Sequence, residues 1–213
     1  LCLAQRGSRR PGRGWVAGSG YTAPEIIEDR NGVPTWPRDT EFPRDDFTFV
    51  RMLYNSAGWR DKWSTDWPDA DLNFSFRLQQ LTALKANPDP IILEPSDPRL
   101  FDYPFLYIIE PGDGMNLSDE EAYALRTYCD NGGFMMVDDF WGEEEWAGFY
   151  FDLKKIFRDR EPVDLELSHE IFNCVYELPE RPQVPSIGVA LSGSSYERYD
   201  ASEVHYRAIF DDK

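Results

Sequence analysis

Two adjacent aspartates, Asp138 and Asp139, follow the apolar run FMMV (134–137) and are the residues best placed to do chemistry together. Paired carboxylates can hold Mg²⁺ or Ca²⁺, or act as a general acid and a general base. Adjacent side chains on a strand point to opposite faces, so the two share a site only where the strand has already turned. The alternative, which the capping preference of aspartate favours, is that one caps the next helix while the other is solvated.

His169 is a further candidate, because it directly precedes the run EIFNCVYEL (170–178). It could be a general base facing the aspartate pair, or it could fix the turn into a strand through a backbone hydrogen bond. A histidine motif that belongs to a fold does not establish a role, so the structural interpretation is favoured. The catalytic candidates are thus Asp138, Asp139 and His169. A divalent cation could bind at Asp138 and Asp139, and no other cofactor is expected.

The segment GWRDKWSTDWP (58–68), called the aromatic loop below, alternates three tryptophans with charged residues. It follows the first predicted strand and should lie at the same carboxyl edge of a parallel sheet as Asp139. Such rings can stack on sugars; alternatively, they pack the loop on the domain. The turn PGDGMN (111–116) lacks a GxGxxG or P-loop pattern, so nucleotide binding has little support. The predicted ligand-binding residues are Trp59, Trp63, Trp67, Trp141 and Asp113.

Strands and helices alternate along the part of the chain that must position these residues. Ser118 and Glu121 predict a capping box at the start of the helix in LSDEEAYALRTYCDNGG (117–133). Strand, helix, strand with short connections forms a right-handed parallel unit, so the order predicts a layered α/β fold. Strands are expected at 47–54, 91–94, 104–110 and 134–137, the last two buried, and again within 163–168, 171–178, 187–191 and 204–210. Helices are expected within 72–85, 117–133 and 143–157.

The charge of the chain excludes some classes of partner. The net charge is −17, and the first fourteen residues hold four arginines and no acid. The remainder therefore carries 18 basic and 39 acidic residues, or −21. A body this acidic repels phosphate backbones and anionic lipid surfaces, so neither nucleic acid nor a membrane surface is an expected partner. No stretch approaches the roughly 20 apolar residues of a membrane span.

The first residues, LCLAQ, resemble the end of a secretory signal with small residues, Cys2 and Ala4, before a cleavage site. The sequence therefore predicts an exported protein of the periplasm or cell envelope. Its expected division is a signal remnant (1–4), an N-terminal arm (5–46) and one domain (47–213). Cys129 and Cys174 could pair, but two buried free thiols are the favoured interpretation.

Four runs in this order resemble a bacterial family of domains of unknown function: LFDYPFLYI, LSDEEAYALRTYCDNGGFMMVDDFWG, LKKIF and HEIFNCVYEL. The resemblance covers about residues 47–213 and departs at Glu170, where proline is usual. It implies a class I glutamine-amidotransferase-like fold, which is a flavodoxin-like three-layer α/β sandwich with a mostly parallel central sheet. Many members are exported or fused to membrane segments. The family usually continues with residues like DLGDGW, so the domain is expected to lack its C-terminal end.

Amidotransferases of this fold carry a nucleophilic cysteine on the sharp turn after a central strand. The comparable turn here is DDFWG (138–142), which has no cysteine, so glutamine hydrolysis is not expected. The leading hypothesis is a non-catalytic domain that binds a small molecule, a glycan or a protein partner in the cell envelope. The alternative is a hydrolase or sugar-active enzyme that uses Asp138, Asp139 and His169, with or without a divalent cation.

Overall fold

The structure is a computed structural model that describes residues 27–38, 41–42, 45–56 and 61–211. The predicted signal remnant (1–4), much of the predicted arm and Trp59 lie outside these residues. Among the described residues, no helix is both long and apolar enough to cross a membrane.

A four-stranded, entirely parallel sheet forms the centre of the fold. Its strands are β1 (Val50–Met52), β2 (Ile91–Leu93), β3 (Phe105–Ile109) and β4 (Phe134–Asp138), in the order β2-β1-β3-β4. This order matches the flavodoxin-like arrangement 2-1-3-4. β3 is buried along its whole length, as its continuous apolar run predicted for a central parallel strand. All four carboxyl ends lie at one edge of the sheet, where ligands bind in folds of this kind.

Helices cover both faces of the sheet and make it the middle layer of three. α1 (Asp69–Leu81) places Phe74 against Phe49 and Phe105 on one face. α2 (Asp119–Asp130) and α3 (Gly142–Ile156) pack on the other face, where Leu125 and Leu153 join the larger core cluster. The predicted α/β three-layer architecture is confirmed. Alternate residues of β3 supply the two cores, with Leu106 and Ile108 on one face of the sheet and Phe105, Tyr107 and Ile109 on the other.

The start of α2 shows how closely local sequence controls this fold. The Ser118 hydroxyl accepts from the Glu121 N–H, and the Glu121 carboxylate accepts from the Ser118 N–H, which completes the predicted capping box.

α3 also has the predicted span, but it approaches the turn 111–113 very closely. A Cβ at Gly148 would overlap the carbonyl oxygen of Gly112, so glycine is needed there.

β4 does not have the burial that its sequence predicted. It pairs with β3 on one side only and lies at the edge of the described sheet. Phe134 at its start is 62% exposed, and the next three residues are partly buried. The run FMMV was expected to be a buried strand because it is continuously apolar. An apolar run shows that a strand can be buried, but not how many neighbours it has.

The segment after α3 also differs from its predicted strands. Among residues 157–211, the strands are β5 (Val163–Asp164) and β6 (Arg207–Ala208), which form an antiparallel pair. The run 171–178 was wrongly expected to be a strand, since β propensity needs a partner strand and only Phe172 of this run is buried. Residues Ile187–Leu191 form the short helix α4, because a five-residue apolar run fits either element. Both Cys129 and Cys174 are free, and Cys174 is exposed, which contradicts its predicted burial.

Candidate functional site

The carboxyl ends of β3 and β4 each lead directly into an acidic residue with a left-handed backbone. Glu110 has φ 49° and Asp139 has φ 57°, a region that residues other than glycine rarely adopt. The Glu110 N–H donates to the Asp138 carbonyl at 3.0 Å, so the two strand ends stay joined up to these turns. Strained residues of this kind cluster at functional sites, and here both lie at the edge of the sheet where ligands bind.

Asp139 is the most perturbed carboxyl of this edge. One of its oxygens accepts a hydrogen bond from the Trp141 indole N–H at 3.2 Å. Burial raises the pKa of Asp139 to about 6, the Trp141 bond opposes this rise, and the negative charges of Glu110, Asp138 and Asp66 add to it. Three neighbouring carboxylates therefore act on Asp139 across this edge. Asp139 can exchange a proton close to neutral pH.

Asp138 has a different environment from its neighbour. It is the last residue of β4 and is exposed, and its carboxylate accepts from the Asp139 N–H at 2.8 Å. Its other oxygen lies 3.5 Å from the Tyr107 hydroxyl. The chain turns between the two aspartates, as a shared site requires. Neither caps α3, however, because its N-cap is Trp141, whose own side chain makes no capping hydrogen bond.

A chain of contacts holds Trp141 in place from within α3 and from the C-terminal segment. The Trp141 N–H donates to the Glu145 carboxylate at 2.7 Å, which satisfies one of the free N–H groups at the start of the helix. The guanidinium of Arg198 pairs with Glu145 at 3.3 Å and also with Glu144. Asp200 lies close by, 3.2 Å from Arg198, and accepts from the Glu144 N–H.

The aromatic loop reaches the same edge through Lys62. Its ammonium group lies 2.5 Å from the Glu110 carboxylate and 3.7 Å from that of Asp113. Partial burial has the largest single effect on the pKa of Lys62 and lowers it, but the hydrogen bond with Glu110 and the negative charges of Glu110, Asp113 and Glu145 together raise it overall. The described part of the loop, residues 61–68, therefore reaches the carboxyl edge at the end of β3, and Asp113 lies beside it.

The tryptophans of the aromatic loop have different environments. Trp63 is 4% exposed and belongs to the core, so its ring packs the loop on the domain. Trp67 is partly buried and lies against the guanidinium of Arg51, 5.8 Å from the ring centroid. Trp59 is outside the described residues. Of the predicted tryptophans that the structure describes, Trp67 and Trp141 thus keep accessible surface.

His169 has a structural contact of its own. Its Nδ1 accepts from the Ile171 N–H at 3.3 Å, at the start of the short 3₁₀ helix Glu170–Phe172, and its ring lies 5.8 Å from that of Phe210. In the described part of the chain, no hydrogen bond or ion pair joins His169 to Asp138 or Asp139. The structure therefore brings the two aspartates together with Trp141, and it gives His169 a capping role.

No group of three or more His, Cys, Asp or Glu side chains within the described ranges could hold a metal ion. The exposed carboxylate of Asp138 and the indole-bonded carboxylate of Asp139 do not form such a group. Cys129 lies on the inner side of α2, where burial raises the pKa of its thiol to about 11 and leaves it protonated at neutral pH. The predicted cation at Asp138 and Asp139 stays a prediction.

Sequence reasoning did not identify several residues that complete this edge. The Tyr54 hydroxyl lies 2.7 Å from the Ile109 carbonyl and 2.9 Å from that of Glu110, and burial raises its pKa, so it remains a donor. Lys62 and Glu110 were passed over because a lone charged residue has no spacing pattern. A glutamate that ends a buried strand, as Glu110 ends PFLYIIE, could have been recognised by its place at the carboxyl edge.

Comparison with known proteins gives a family and no activity. The family described as Domain of unknown function (DUF4159) matches residues 48–213. The chain therefore belongs to this family. A search of curated proteins finds no match.

Proposed function

We propose that this member of the DUF4159 family is a binding domain that holds an uncharged, hydroxyl-rich ligand, such as a sugar, at the carboxyl edge of its sheet. The observation that carries the proposal is the contact between Asp139 and Trp141. It places a carboxyl group beside a partly exposed indole ring in one short turn. Aromatic rings offer an apolar face to the C–H surface of a sugar, while carboxyl oxygens bond its hydroxyl groups.

The charges of the edge select among ligand classes. Glu110 and Asp113 lie beside the ammonium group of Lys62, and the charges of Glu110 and Asp138 act on Asp139. An anionic ligand such as a phosphate ester would be repelled, whereas hydroxyl groups donate well to carboxylates. Lys62 is already paired with Glu110, so it does not offer a free cation. A neutral polyol is therefore a better match than a nucleotide.

The amidotransferase-like relationship is part of the same proposal. Strand β4, the left-handed residue Asp139 and helix α3 form a strand–turn–helix arrangement, which supports the resemblance to enzymes that keep a nucleophile on such a turn. The turn carries carboxylates in place of the cysteine, and carboxylates do not replace a thiolate in glutamine hydrolysis. This substitution supports binding rather than a glutaminase.

A panel of mono- and oligosaccharides in a thermal-shift assay tests the proposal. A sugar at a hundred times its Kd should add roughly 2.7 kcal/mol to the free energy of unfolding. Trp141→Ala and Asp139→Ala should remove the shift. Phe134→Leu is the matched control, since Phe134 is an exposed aromatic at the opposite end of β4. Absence of a shift with every sugar would refute the proposal and favour a protein partner.

A second candidate function rests on the raised pKa of Asp139. A carboxyl group that titrates near pH 6 is suited to act as a general base, so a hydrolase remains the alternative. Its base would be Asp139, and His169 would not take part. Turnover of chromogenic ester and glycoside substrates tests this, and Asp139→Asn should abolish it while His169→Asn should not.

A further inference from the structure

The most deeply buried charges of the described chain lie directly under the aromatic loop. Arg51 of β1 and Asp71 of α1 are both 0% exposed. The Nε and Nη2 atoms of Arg51 contact the two carboxylate oxygens of Asp71 at 2.9 and 2.6 Å. Burial raises the pKa of Asp71, and the guanidinium opposes that shift. The pair closes the space between the sheet and α1.

The third nitrogen of Arg51 contacts the loop itself. Its Nη1 donates to the carbonyl oxygens of Trp63 and Thr65 at 2.9 and 2.8 Å. The guanidinium plane also lies near two rings, 5.8 Å from the centroid of Trp67 and 5.2 Å from that of Tyr107. One side chain thus joins β1, α1, β3 and three residues of the aromatic loop.

The ion pair of Arg51 with Asp71 and the bonds of Arg51 to the loop should contribute differently to stability and to the position of the loop. Replacing a buried ion pair by apolar residues of similar volume is often neutral or stabilising, because desolvation offsets the attraction. The loss of a donor to the carbonyl groups of Trp63 and Thr65 has a different effect. A carbonyl group left without a donor is costly, so the loop would move until water could reach it. A guanidinium fork can serve two carboxylate oxygens and two carbonyls at once, which a lysine ammonium cannot.

We propose that Arg51 is a positioning residue for the carboxyl-edge site: its guanidinium fixes residues 61–68 of the aromatic loop so that Lys62 meets Glu110 at the end of β3. The inference rests on the proposed function in one respect, because that function identifies the carboxyl edge as the site that Arg51 positions. Contacts within the loop agree with it, because the N–H groups of Ser64 and Thr65 bond only to carbonyls one helical turn earlier. Such local bonds do not hold a short loop on a sheet by themselves.

The double variant Arg51→Met/Asp71→Leu separates the two roles. We expect an unchanged far-UV circular dichroism spectrum and cooperative unfolding, because the pair is replaced by apolar volume. The amides of Ser64, Thr65 and Trp67 should exchange with solvent at least about tenfold faster, while those of β3 keep their rates. Unchanged loop exchange in a folded double variant would overturn the inference.

Arg51→Lys serves as the matched single variant, because it keeps the charge opposite Asp71 and loses the fork. Faster loop exchange in this variant is expected, and loop exchange like that of the wild type would show that charge alone is sufficient. Should neither variant fold, the wild type still decides the matter by native-state exchange in low urea. Opening of the loop amides together with those of β1 supports the inference, and independent opening contradicts it.

These measurements need no ligand, so they stand apart from the sugar screen. If a sugar is found, the double variant should bind it at least about tenfold more weakly at unchanged Tm. Faster loop exchange together with a negative sugar screen would refute the binding proposal and leave the positioning role of Arg51 intact. Sugar binding that is unchanged in a variant with faster loop exchange would refute the positioning role and leave the binding proposal intact.

Discussion

The indole N–H of Trp141 donates a 3.2 Å hydrogen bond to the carboxylate of Asp139, two residues earlier in the same turn. This contact joins the aromatic and acidic parts of the candidate site. It also opposes the rise that burial causes in the Asp139 pKa, because the bond stabilises the charged form. The turn is therefore a place where a small change in contacts should be measurable as a change in protonation.

Asp139→Asn should stabilise the protein at neutral pH. The folded pKa of Asp139 is about 6 and its ordinary value is 3.8, so the folded state binds more protons between these values. Stability therefore falls as pH rises from 3.8 to 6 and stays lower above 6. Asparagine keeps an acceptor for Trp141 and tolerates a positive φ. After allowance for solvent screening, we expect a gain of about 1 kcal/mol near pH 7.5.

Urea unfolding at several pH values measures this gain, which should shrink as the pH is lowered from about 6 to about 4. Asp139→Ala is the control, because alanine loses the Trp141 contact and is disfavoured at a φ of 57°. Alanine should therefore destabilise the protein where asparagine stabilises it. A gain for Asp139→Asn that is constant with pH would contradict the assigned pKa.

Trp141→Phe should raise the pKa of Asp139 above about 6, because it removes the donor that stabilises the carboxylate and keeps an aromatic ring. Carbon-detected NMR titration of the Asp139 carboxyl measures the change. Trp146→Phe is the matched control, since Trp146 stacks on Phe140, which lies between Asp139 and Trp141 in the turn, and makes no hydrogen bond to Asp139 among the described residues. A shift of equal size in both variants would mean that ring volume, not the hydrogen bond, controls the titration.

The sequence predicted the secondary structure around this site better than the contacts and burial within it. β3, the capping box at Ser118 and the span of α3 follow from local patterns that need no distant partner. The strand at 171–178 and the burial of β4 were wrong because both depend on neighbours that a pattern does not specify. Asp139 was recognised because it follows an apolar run.

Contacts across the sheet edge could not be predicted in the same way. The pairing of Lys62 with Glu110 spans 48 positions in the sequence, and the link from Arg198 to Glu145 spans 53. Neither residue type nor spacing marks such pairs when a sequence contains many charged residues. Trp63 and Trp67 look equivalent in the sequence, and only the packing of the loop separates the buried ring from the accessible one.

The ion pair between Lys62 and Glu110 should contribute measurably to stability. The two groups are partly buried, with 28% and 21% of their side chains exposed, and lie 2.5 Å apart. A double-mutant cycle with Lys62→Met and Glu110→Gln should give a coupling free energy of about 1 kcal/mol.

The control cycle uses Arg158→Met and Asp119→Asn, because that pair is 3.7 Å apart with 76% and 91% of its side chains exposed. Its coupling free energy should be close to zero, as for most fully solvated pairs. Urea unfolding supplies both cycles. Equal coupling in the two pairs would mean that the contact of Lys62 with Glu110 is no more than a surface contact.

Gly142→Ala should destabilise the start of α3 more than the backbone alone explains. Gly142 has φ 74°, and an added Cβ would overlap the Asp200 carboxylate that accepts from the Glu144 N–H. Left-handed strain costs about 1–2 kcal/mol, and displacing Asp200 should add about 1 kcal/mol for the lost hydrogen bond. Gly193→Ala is the control, since Gly193 has φ 86° and open space around its Cβ position.

Urea unfolding of the two single variants should thus differ by about 1 kcal/mol in free energy. The variant Gly142→Ala/Asp200→Ala tests the cause directly, because without the Asp200 carboxylate there is nothing for the added Cβ to displace. Relative to Asp200→Ala, the added alanine should then cost no more than it costs at Gly193. If the alanine at position 142 still costs more than Gly193→Ala when the Asp200 carboxylate is absent, the close approach of Asp200 is not the cause. The extra cost would then come from greater backbone strain at position 142 than at position 193.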